Sequence, residues 1–134
     1  MKTIYQTLSF LLSMLLFSFV SPGQSSSEPG EAYQLDQLQK QLISSGKSYL
    51  PFLNRNTLKT GLYVLEAGAE DKQQPHELDE VYYIISGKAN LRVEDDVFPV
   101  TTGSVVFVKA GAFHKFEDIT KELQTLVFFS QAQP

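Results

Sequence analysis

Two histidines and a cluster of carboxylates carry whatever metal or acid–base chemistry this chain can do, because it contains no cysteine. Without thiolates, zinc–sulfur sites, iron–sulfur clusters, cysteine nucleophiles and redox pairs are excluded, and any metal must be held by imidazole, carboxylate, amide or water. The first histidine lies in Gln73-Gln74-Pro75-His76-Glu77-Leu78-Asp79-Glu80, which runs into the apolar segment Val81-Tyr82-Tyr83-Ile84-Ile85-Ser86. Alternate residues of an extended chain share a face, so Gln74, His76 and Glu80 point the same way there. The second, His114, opens a later apolar segment just after Ala110-Gly111-Ala112. Two strands that bring both rings to one interior give two neutral nitrogens and one carboxylate. That set suits a divalent ion such as iron, manganese, nickel or zinc, with coordination positions left open. Tyr82 shares the face of Glu80, where it either fills the core, the commoner role of an aromatic there, or positions a substrate or supplies a proton, while Glu80 is itself a candidate base. Phe107 and Phe116 are expected by the same alternation to line the wall. Asp71, Glu77 and Asp79 read as solvated loop carboxylates that add negative potential near the histidines.

The elements that must position these groups are short strands. After Gly46, runs of β-branched and aromatic residues alternate with Gly, Pro, Asn and Asp punctuation. Eight segments are expected: Tyr49–Leu53, Thr57–Glu66, Glu80–Ser86, Ala89–Glu94, Val97–Val100, Ser104–Lys109, His114–Asp118 and Leu123–Ser130. Glu94-Asp95-Asp96 reads as a hairpin turn. Short antiparallel strands so closely spaced suggest a sandwich, a jelly roll or a small barrel with room for one small ligand. The last strand is apolar on both faces, which predicts burial on both sides, within the monomer or across a dimer interface. Before the strands, Leu35, Leu38 and Leu42 recur at helical spacing and Ser45-Gly46 supplies a stop, predicting one amphipathic helix over Glu31–Ser45.

The N-terminal stretch has a different composition. An apolar run from Leu8 to Val20 follows Lys2 and precedes Ser-Pro-Gly. At about 1.5 Å per residue it spans roughly 20 Å, short of the ~30 Å hydrocarbon core a membrane helix must cross. Residues 1–23 therefore read as a secretory signal peptide cleaved after Gly23, with no stable membrane anchor left after processing. Residues 24–30 read as a linker and residues 31–134 as one domain. The formal net charge of −4, with no run of Lys or Arg, argues against nucleic acid as a partner.

The spacing of these residues resembles the two sequence motifs of the cupin superfamily. In the first, Gly68 is the early glycine, Gln74 stands where the first of two histidines is usual, His76 is the second, Glu80 follows after three residues and Gly87 after six more. In the second, Gly103 is followed by Lys109 where proline is usual, then Gly111, His114 and Asp118 where asparagine is usual. The resemblance covers residues 62–129. It implies an all-β fold, a cupin-like jelly-roll β-barrel preceded here by one short amphipathic helix. It also implies a metal inside the barrel held by His76, Glu80 and His114, with Gln74 completing or gating the fourth position. Gln73 is the alternative at that position if the loop shifts register by one. An amide oxygen in place of imidazole weakens the site for late transition metals.

Two functions follow from this set. One is an exported, metal-dependent barrel acting on a small molecule, with dioxygenase- or isomerase-like chemistry. The other is a non-catalytic small-ligand binding or sensing module without metal, in which His76 and His114 hydrogen-bond to Glu80 and Tyr82. A homodimer is expected in either case, since cupins commonly form one.

Overall fold

The structure, a computed structural model, describes residues 29–131. The expected signal peptide and residues 24–28 of the expected linker lie outside the described residues. A helix, α1 (Leu35–Ser45), is followed by six strands: β1 (Tyr49–Asn54), β2 (Leu58–Leu65), β3 (Glu80–Val93), β4 (Asp96–Thr101), β5 (Val105–Val108) and β6 (His114–Ser130). All pairings are antiparallel, in the order β1-β2-β6-β3-β4, with β5 joined to the first half of β3. The sheet forms a small jelly-roll barrel.

Six strands replace the expected eight because β3 and β6 each absorb two of the predicted segments. The first half of β3 pairs with the end of β6 and its second half with the beginning, through register shifts around Ser86 and Lys88. Punctuation bends these strands and does not end them. Gly87 sits inside β3 at φ 102°, and a Cβ there would lie 2.2 Å from the Glu122 carbonyl oxygen of β6. Only glycine combines that backbone angle with so close an approach. Asp118 makes the matching bend in β6, at φ 51°. The hairpin turn between β3 and β4 falls at Glu94 and Asp95, as the acidic triplet suggested.

The barrel interior is filled by Tyr82, Ile84, Leu91, Val100, Val108, Phe116, Leu123 and Val127, all but inaccessible to solvent. Fully burying a side chain of this kind contributes roughly 1.5–3 kcal/mol. A second cluster lies on the outer face, where Leu38 and Leu42 of α1 cover Leu62, with Leu50, Phe52 and Leu126 around it. This explains the doubly apolar last strand. Leu123, Thr125 and Val127 face the interior, while Leu126 lies beneath the helix.

The helix begins four residues later than the sequence predicts. Gln34 has an extended backbone and makes no side-chain cap, and the chain before it is tied down instead by the Glu31–Arg55 ion pair and by Tyr33 against Phe52. Its end is as expected, with Gly46 left-handed at φ 66°.

Phe107 is not a wall residue. Glu80 pairs with Val108 and Tyr82 with Val106, so the inward face of β3 fixes Val106 and Val108 as the inward residues of β5. Phe107 pairs with Val81, points outward and is 59% exposed. Phe116 does face the interior.

Candidate metal centre

His76, Glu80 and His114 converge although they come from a loop and two strands. Glu80 opens β3 opposite Phe129 near the end of β6, and His114 opens β6 opposite Val93 at the end of β3, so the two start at opposite ends of the antiparallel pair and meet because both strands bend, at Gly87 and Asp118. His76 sits on the irregular segment between β2 and β3. Its carbonyl accepts a hydrogen bond from the Gly111 N–H at 2.7 Å, which fastens it to the turn that delivers His114. Gly111, at φ 79°, supplies the left-handed angle that this turn needs. Asp79, exposed, braces the same turn by accepting from the Ala110 N–H at 2.8 Å.

One ligand atom from each of the three residues lies within 4.8 Å of the other two. Glu80 Oε1 is 3.5 Å from His114 Nε2 and 3.9 Å from His76 Nε2. Two donors about 2.1 Å from a common tetrahedral ion are roughly 3.4 Å apart, so a small contraction would close the set on one ion. Glu80 and His114 are buried, whereas the side chain of His76 is 40% exposed and leaves an open side. The His76 ring stands edge-on to Phe129, at 5.2 Å between centroids.

The donor chemistry also fits a cation. His114 Nδ1 lies 2.9 Å from the Ala112 carbonyl oxygen, which can only accept, so Nδ1 carries the proton of the neutral ring. That leaves Nε2 with its lone pair, fully buried, without a hydrogen-bond partner and facing a carboxylate. Two lone pairs held face to face away from water are costly unless a proton or a metal ion lies between them. The pull on His114 shows the same demand. Burial alone would lower its pKa, but the Glu80 carboxylate and the Ala112 carbonyl outweigh burial and raise it.

Behind the three donors is a hydrogen-bonded chain. The Tyr82 hydroxyl is 2.6 Å from Glu80 Oε2 and 3.1 Å from Gln73 Oε1. Burial and the Glu80 charge push the Tyr82 phenol far up, so it stays protonated and orients the carboxylate. Gln73 is held in turn by Asp71, whose Oδ2 accepts from Gln73 Nε2 at 2.8 Å. Asp71 also accepts from the Tyr63 hydroxyl at 2.7 Å, the Gln73 N–H at 3.1 Å and the Phe116 N–H at 2.8 Å.

These contacts correct two expectations. Gln74 is not brought to the three donors: it is exposed, and its amide reaches only the Lys72 carbonyl, at 3.5 Å. The loop is too irregular for simple alternation, and Gln73 takes the inward place. Asp71 is buried, 6% exposed, and not a solvated loop carboxylate. Among the expected acids, Glu77 alone is exposed with no hydrogen bond or ion pair among the described residues.

A cavity of about 380 Å³ opens beside His76 and Tyr82. Its walls include Tyr49, Tyr63, Leu65, Val127 and Phe129, with Lys72 and Glu70 also among its lining residues. Tyr49 and Tyr63 were not expected in the site. Tyr63 alternates inward with Leu65 on β2, a signal present in the sequence. Nothing local marks Tyr49.

Residues 61–129 match the family described as the cupin domain. An uncharacterized protein of Streptomyces coelicolor is 43% identical over 100 residues, which is 75% of this chain and 95% of that protein. Among solved structures, an RmlC-like cupin from Shewanella frigidimarina is similar with a TM-score of 0.55 and 20% identity, over 63% of this chain and 76% of that one. The salicylate 1,2-dioxygenase of Pseudoaminobacter salicylatoxidans, in complex with gentisate, is similar with a TM-score of 0.63 and 13% identity, over 73% of this chain and 33% of that one. At these identities the two solved structures speak for the fold alone.

Proposed function

This chain belongs to the cupin domain family, and on that footing we propose that it is an exported barrel that holds one divalent metal ion between His76, Glu80 and His114 and acts with it on a small organic molecule. The observation that carries the reading is His114 Nε2, a buried nitrogen with no hydrogen-bond partner that faces Glu80. Iron, manganese, nickel and zinc all suit the donor set. When bound, such an ion supplies Lewis-acid or redox chemistry toward the oxygens of a ligand, which supports a dioxygenase- or isomerase-like reaction.

The remaining roles belong to the chain. His76 forms the exposed side of the site, where a ligand enters from the cavity. Tyr82 holds Glu80 in place, and Gln73 and Asp71 hold Tyr82. Glu80, hydrogen-bonded by Tyr82, would serve as a ligand to the ion, and its carboxylate is also the candidate base of the site. Leu65, Val127 and Phe129 give the cavity an apolar wall that favours a mostly apolar ligand.

Metal analysis by plasma mass spectrometry tests the reading on tag-free protein, native and His114→Ala, after incubation with each ion. Near-stoichiometric metal in the native protein, lost in the variant, is the expected result. A native protein that stays empty with every ion would overturn it and favour the alternative, a metal-free barrel that binds or senses a small ligand through its apolar cavity.

A further inference from the structure

Three tyrosines line the cavity beside the metal centre, and two of their hydroxyls are already engaged. Tyr82 is hydrogen-bonded to Glu80 and Tyr63 to Asp71. The third, Tyr49, is half-buried and has no hydrogen-bond partner among the described residues. Its ring meets Tyr63 edge-on, at 6.3 Å between centroids. A phenol O–H placed in this way, engaged by no protein group among the described residues and on the cavity wall, is free to donate to a molecule in the cavity.

Its placement depends on a residue that is not there. Tyr49 begins β1, and the strand beside it carries Gly61 in place of a side chain. A Cβ on Gly61 would lie 2.2 Å from Tyr49 Cε2, 2.4 Å from Cζ and 2.4 Å from the hydroxyl oxygen. The ring therefore lies directly on the bare backbone of β2, and any larger residue at 61 would drive it off. Burial and the charge of Glu80 both raise the Tyr49 pKa, so the group is a donor and not a phenolate at neutral pH.

We propose that Tyr49, admitted by Gly61, is the residue that recognises the ligand of this cavity, donating its hydroxyl proton to a negatively charged oxygen of a small, mostly apolar carboxylate or enolate. The inference rests on the metal reading above. A divalent ion with two neutral imidazoles and one carboxylate keeps one uncompensated positive charge, so it favours an anionic oxygen ligand over a neutral one. Tyr49 then offers the hydrogen bond that such an oxygen requires away from bulk water, while Leu65, Val127 and Phe129 receive the apolar remainder.

The test uses the mature chain loaded with cobalt(II), whose visible spectrum reports ligands entering the metal shell. Acetohydroxamate, a chelating oxygen anion, is the probe, and imidazole, a neutral nitrogen ligand, is the control. Tyr49→Phe should weaken acetohydroxamate binding roughly tenfold or more, the size expected for one hydrogen bond to a charged group. Cobalt content and imidazole affinity should not change. Gly61→Ala should reproduce the loss, and the double variant should be no worse than either single one. Unchanged acetohydroxamate affinity in a folded Tyr49→Phe protein would overturn the proposal, as would an equal loss for both ligands. If Gly61→Ala fails to fold, Tyr49→Phe alone is decisive. Failure of the native protein to take up cobalt would overturn the metal reading first, and this inference with it.

Discussion

At the scale of single residues, the protonation of His114 decides how the site meets a metal. The groups facing its ring are Glu80, Ala112 and His76, with Asp71 contributing its charge and Tyr82 packed beside it. Their net effect raises the imidazole pKa above the ordinary histidine value of 6.5. A raised histidine stabilises the metal-free fold below its unfolded value, and that contribution is lost as pH rises through the folded value. For metal uptake the sign is opposite, because below the folded value a proton occupies Nε2 and an incoming ion must displace it. Affinity measured by calorimetric titration at a series of pH values should fall as pH decreases through that range. Its slope should reach at least one proton per ion, and a flat profile would place the metal elsewhere. The same residues show what the sequence could and could not reveal. His76, Glu80 and His114 were legible as a ligand set from residue type and spacing alone. Gln73 was separable from Gln74 only once the loop geometry was known, and Asp71 only once its four donors were in place.

At the scale of elements, β3 organises the molecule, since it pairs with β4, β5 and β6 and carries Glu80 and Tyr82 inward. Most strand segments were legible from β-branched and aromatic runs. Their continuity across Gly87 and Asp118 was not, because a residue that ends one strand can bend another when a neighbour holds it by hydrogen bonds. The facing of β5 was illegible for a related reason. A four-residue strand with three valines and a phenylalanine has no polar residue to fix its phase, so pairing to β3 decides it. The outcome leaves Val105 at 64%, Phe107 at 59% and Tyr83 at 42% exposure on one outer face. Tyr83 pairs with Val105 across the two strands. We propose this face as the contact of the homodimer that the sequence leads us to expect. Sedimentation velocity should show a dimer that Phe107→Glu converts to monomer while metal uptake persists, and a native protein that sediments as a monomer at tens of micromolar would contradict this.

At the scale of the whole molecule, a barrel with its outer face partly covered by α1 brings one buried carboxylate and two imidazoles to the edge of an apolar cavity. Among the described residues no helix is long and apolar enough to cross a membrane. Export through residues 1–23 remains part of the proposal, and the N-terminal sequence of the secreted protein, expected to begin at Gln24, checks it. The central claim is the metal itself, and anomalous X-ray scattering from crystals of the manganese- or zinc-loaded protein tests it most directly. A metal held by these three residues predicts one strong peak about 2.0–2.2 Å from His76 Nε2, His114 Nε2 and a Glu80 oxygen. Fully loaded crystals with no peak there, or with peaks only at surface carboxylates, would contradict it.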